Sequence, residues 1–125
     1  MRSFMQLSAL SLALLFSAAG LASERVVDHY KGKPAASLPE AVANFSEYNA
    51  KLEAILAQGS LSAADLHSIH ELTYTLENAL KRINQDFAAL GETLEQVHVA
   101  SETADNATVQ QQGQAYLQTA RQVIR

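Results

Sequence analysis

An all-α fold, an antiparallel up-and-down bundle of three to four helices, is what this 125-residue sequence predicts. Apolar residues recur at alternating spacings of three and four, Ser, Asp and Glu stand where helix caps belong, and no strand-like alternation of useful length occurs. Helix-favouring Ala, Leu, Glu and Gln dominate the composition. The bundle domain is expected at residues 38–125, preceded by a signal peptide at 1–22 and an extended arm at 23–37.

The N-terminal segment has the build of an export signal. Arg2 gives it a positive end, the run from Phe4 to Ala19 carries no charge, and Gly20, Leu21 and Ala22 offer the small residues a signal peptidase needs. The apolar run is shorter than the ~20 residues of a spanning helix, and no stop-transfer charge cluster follows. The expected location is therefore periplasmic, with cleavage before Ser23 and no stable membrane insertion afterwards.

Removal of that signal leaves 103 residues, enough for one domain with a modest core. Only Arg2 is lost among the charged residues, so 13 acids then face 8 bases and the formal charge is −5. Such an acidic surface speaks against nucleic acid, which demands a basic patch. The absence of cysteine excludes disulfide stapling, thiol catalysis and covalent haem attachment. Met1 and Met5 both lie in the signal, so soft sulfur ligands are missing from the remainder.

Gly32 and Pro34 keep the arm extended. Ser37, Leu38, Pro39 and Glu40 then form a capping box that opens helix one. Its apolar stripe is expected to be Leu38, Val42, Phe45, Leu52 and Leu56, flanked by Ala41, Tyr48 and Ile55, with Asn49 as a buried polar interruption and Gly59 as a left-handed stop.

Ser62 and Asp65 open the second helix. Its expected seam runs Leu66, Ile69, Thr73, Leu76, Leu80, Ile83, Phe87, Leu90, Leu94, Val97, a coiled-coil-like repeat of 3.5. Gly91 costs roughly 1 kcal/mol there, which favours a break or kink in a helix otherwise about forty residues long. Asp105, Asn106 and Thr108 are candidate caps for a last helix carrying Val109, Tyr116, Leu117, Ala120, Val123 and Ile124.

The segments NFSEYNAKL, Asn44 to Leu52, and LHSIHELTYTLENAL, Leu66 to Leu80, resemble a family of small exported proteobacterial proteins of unknown function. The resemblance covers nearly the whole exported chain and implies a periplasmic helical protein, without activity or binding residues to carry over. By overall plan the chain is also similar to the exported four-helix bundle of cytochrome b562, a likeness of architecture that licenses no function.

One constellation carries candidate chemistry. His67, His70, Glu71, Tyr74 and Glu77, spaced i, i+3, i+4, i+7 and i+10, project from one flank of helix two. His67, His70 and Glu71 are the candidate metal ligands, yet the spacing matches neither HExxH nor the ExxH pairs of di-iron bundles. A solvated boundary strip is the preferred reading. A b-type haem would need two histidines; His70 and His98 are about 40 Å apart along one helix unless the chain folds back near Gly91, and His29 lies on the arm.

Ser68 lies between His67 and His70, but residues one or two apart on a helix do not face one another, and neither a GxSxG turn nor a phosphate-binding glycine loop is present. The glutamines at 110, 111, 112 and 114 read as a solvated face, and the N-x-S/T triplets at Asn44 and Asn106 as unmodified. The expectation is a non-enzymatic helical module with no catalytic residues and no cofactor. It would bind a protein or small molecule, or self-associate to finish its core; the alternative is a metal- or b-type-haem-binding bundle centred on His67 and His70.

Overall fold

The computed structural model describes residues 30–124. The expected signal peptide, the start of the expected arm and His29 lie outside the described residues. Three helices follow in order, α1 at Leu38–Leu56, α2 at Ala63–Glu102 and α3 at Asn106–Ala120, and no strand occurs among the described residues. The all-α class and the antiparallel up-and-down order are those expected.

Local chemistry sets each helix start. Ser37 is extended (φ −139°, ψ 162°) and its Oγ accepts from the Glu40 amide at 3.3 Å, while Pro39 preorganises the first turn. Glu40 reaches one residue further back than a capping box requires, accepting from the Ala36 amide at 2.9 Å. At α2 the box is reciprocal: the Asp65 amide donates to Ser62 Oγ at 3.2 Å, and the Ser62 amide to Asp65 Oδ2 at 2.8 Å. Asp105 caps α3 by accepting from the Thr108 amide at 3.1 Å. The Ser62 hydroxyl bond, with the Ser62 amide second, holds the Asp65 carboxyl below its ordinary range; the Thr108 hydroxyl and amide do the same for Asp105.

Of the two alternatives at Gly91, one helix bent there or two helices meeting there, the second is not what the structure shows: α2 runs uninterrupted for 40 residues. The expected break is absent because the penalty of one glycine is local and about 1 kcal/mol. Docking of α3 along the same stretch holds the helix together across it. The reversal into α3 falls instead at Ala104, which adopts a left-handed φ of 56° while the Asp105 amide bonds back to Ala100 O at 2.9 Å.

Helix α2 is the spine. Helix α1 packs antiparallel on its first half and α3 on its second, and α1 and α3 do not pack on each other. The fold is thus two helical hairpins that share one helix. The seam facing these partners contains Leu72, Leu76, Ala79, Leu90 and Ala100, all buried, with Ile69, Ile83 and Val97 half-buried.

That seam corrects the expected one. Ile69, Leu76, Ile83, Leu90 and Val97 belong to both, but the alternate positions shift by one residue, about 100° around the helix. Leu66, Leu80, Phe87 and Leu94, assigned to the core from their spacing, are exposed by 56%, 42%, 37% and 46%. The physical reason is that α2 is apolar on three positions per heptad, and α1 and α3 take one edge of that wide face. In α1, Asn49 is exposed and Asn44 is the buried polar residue, so the expected register residue was the wrong asparagine. Leu56, expected on the stripe, is also exposed. Among the described residues no helix is long and apolar enough to cross a membrane.

Candidate functional site

Two surfaces are candidates for a functional site: a strapped cleft on one flank of α2 and the open apolar stripe on the other. The strap is the arm. Thr75, Asn78 and Arg82, spaced i, i+3 and i+7, project from the flank of α2 that meets residues 30–37. Thr75 Oγ1 accepts from the Lys33 amide at 3.0 Å, and Asn78 Nδ2 donates to the carbonyls of Lys31 and Lys33, each at 2.9 Å. Arg82 Nη1 donates to Ala36 O at 2.6 Å while its Nε holds Asp86 at 2.6 Å. From α1, Asn44 Nδ2 donates to Pro34 O at 3.1 Å. The extended arm, which has no neighbouring strand, thus has its polar backbone matched by side chains of two helices.

Gly32 makes the close approach possible. Its φ of +68° is left-handed, and a Cβ there would lie 2.7 Å from Thr75 N and 2.8 Å from Tyr74 C. Only a residue without a side chain can sit so near the α2 backbone.

Beside the start of the strap, Tyr30, Tyr48, Lys51, Ile55, Ser68 and Glu71 line a cleft of about 400 Å³. Lys51 Nζ lies 4.1 Å from the centre of the Tyr48 ring and donates to Glu47 Oε1 at 2.7 Å. This hydrogen bond chiefly lowers the Glu47 pKa below its ordinary value and raises that of Lys51.

The histidine strip divides into two pairs. His67 Nε2 lies 3.4 Å from Glu71 Oε1. The His70 ring meets Tyr74 edge-on with centroids 5.2 Å apart, its Nε2 3.5 Å from the hydroxyl, and Tyr74 in turn lies 6.4 Å from Tyr30. Glu77 stays exposed, one turn further along. Among the described residues no three His, Cys, Asp or Glu side chains come together to hold a metal ion. His98 pairs with Glu102 at 3.3 Å, and because α2 is continuous the chain does not fold back to bring it to His70.

A working divalent site would add about 2.7 kcal/mol of stability at a hundredfold excess of metal over Kd. We expect zinc to shift the melting temperatures of the wild type and of a His67→Ala/His70→Ala variant equally. A large stoichiometric shift confined to the wild type would establish the site.

Sequence reasoning missed the strap's receptors and the tyrosines at 30 and 48. The signal was present in part: Thr75, Asn78 and Arg82 form a polar row alongside an apolar repeat. Nothing local, however, pairs that row with residues more than 40 positions away.

The fold and these surfaces define an all-α protein built on one long helix, with a strapped cleft on one flank and an exposed apolar line on the other. The chain belongs to a family of unknown function, DUF6746, whose model matches residues 1–125. The resemblance carried by Asn44–Leu52 and Leu66–Leu80 to an uncharacterised family agrees with that membership. No curated protein and no solved structure matches the chain.

Proposed function

We propose that this protein is a non-enzymatic periplasmic interaction module whose working surface is the open stripe of α2. The observation that carries the reading is the line of Leu66, Leu80, Phe87 and Leu94, exposed at seven-residue multiples along a helix whose opposite edge is already covered. Large apolar residues left exposed along one line of a helix point to an association site, since leaving them in water forgoes about 25 cal/mol per Å².

Because the chain has no cysteine, single cysteines report cleanly. In intact cells, a maleimide that crosses the outer but not the inner membrane should label Ser46→Cys, on the exposed side of α1, rapidly and Leu94→Cys slowly. Equal labelling of both would show the stripe uncovered and end the interaction reading. No labelling at either position until the inner membrane is permeabilised would end the periplasmic one.

A further inference from the structure

We propose that the partner on this stripe is a second copy of the chain, with the two α2 helices antiparallel about a two-fold axis at Leu80. This rests on the interaction reading and deepens it by naming the partner.

The stripe is symmetric about its own centre. Positions 66, 73, 80, 87 and 94 span about 42 Å of helix at 1.5 Å per residue. An antiparallel copy then sets Leu66 against Leu94, Thr73 against Phe87 and Leu80 against Leu80. Each end of the contact is leucine on leucine, and the bulk of Phe87 falls on a small residue. Parallel pairing would instead put Phe87 on Phe87 and Thr73 on Thr73, bulk against bulk and a gap where the two small residues meet.

Two further features fit this geometry. Gly91 lies exposed on the same side, has an ordinary φ, and a Cβ built there would meet nothing within 4 Å. No contact inside the described chain therefore accounts for a glycine in mid-helix, where it costs about 1 kcal/mol relative to alanine. In the antiparallel pair Gly91 falls level with Ile69 of the other copy, where a residue without a side chain leaves room for the second helix to approach. The flanking charges are complementary as well. Across the axis Glu77 of one copy falls within one helical turn of Lys81 of the other, and the arrangement occurs twice.

The length of the contact is sufficient. It exceeds the 19 residues of α1 and the 15 of α3, each of which already packs stably on the same helix.

Protein purified after expression of the full chain should sediment as a dimer, and Leu80→Glu should sediment as a monomer with unchanged far-ultraviolet circular dichroism. Under mild oxidation Leu80→Cys should form a disulfide-linked dimer by itself. Leu66→Cys and Leu94→Cys should cross-link only when mixed, because neither meets itself across the axis.

A wild type that stays monomeric across the concentration range overturns the proposal, as does self-cross-linking of Leu66→Cys as fast as Leu80→Cys. If Leu94→Cys is shielded in cells while the purified protein is monomeric, residues 1–29 or another protein cover the stripe. The second copy then fails while the interaction reading stands. Rapid labelling of Leu94→Cys in cells removes both.

Discussion

Leu76→Ala is expected to lower the unfolding free energy by about 2–5 kcal/mol, a large share of what a domain of this size has to lose. Leu76 is 8% exposed and sits on the seam beneath α1. Truncation removes the transfer free energy of the side chain and leaves a cavity. Helix α2 cannot move to close it, because α3 fixes the same rigid helix further along. Leu80→Ala, four residues on and 42% exposed, should cost about 1 kcal/mol or less in protein dilute enough to be monomeric. Urea denaturation of the two variants decides the phase of the seam. Equal losses would place both leucines on one buried line and contradict the packing described above.

Gly32→Ala is expected to release the strap. A left-handed backbone costs an L-residue roughly 1–2 kcal/mol. The new Cβ would also lie 2.7 Å from a backbone nitrogen of α2, which cannot swing aside as a side-chain tip would. Undocking the arm is the available relief. It gives up the bonds to Thr75, Asn78, Arg82 and Asn44, each worth about 1 kcal/mol net. Trypsin should then cut after Lys31 at least roughly tenfold faster, the factor that corresponds to 1.4 kcal/mol of easier opening; Lys33 is shielded by the following Pro34.

Thr75→Val tests the same lock without a clash. Thr75 is fully buried at 0% exposure, and valine keeps its shape while stranding the Lys33 amide, so hydrogen exchange at that amide should accelerate. An unchanged tryptic rate in Gly32→Ala together with unchanged exchange in Thr75→Val would mean the arm is not held as described.

Helix identity and helix ends were legible in the sequence because they are local. Ser37, Ser62 and Asp105 cap the helices they precede through bonds spanning three residues, and no distant part of the chain is needed to form them. The wide apolar face of α2 was legible for the same reason, being a property of period alone. Which edge of it becomes core was not. Ile69, Leu76, Ile83, Leu90 and Val97 lie on the border between two possible seams, and periodicity scores both nearly alike. The choice falls to where α1 and α3 dock, and they dock on the edge where Ala79 and Ala100 let a neighbouring helix come close. Gly91 misled for a related reason, since a local penalty of about 1 kcal/mol loses to packing spread along fifteen residues of α3. The strap and its cleft are tertiary throughout: the strap joins residues 31–36 to 75–82, the cleft draws its walls from residues 30, 48–55 and 68–72, and only the folded chain brings Gly32 against the α2 backbone.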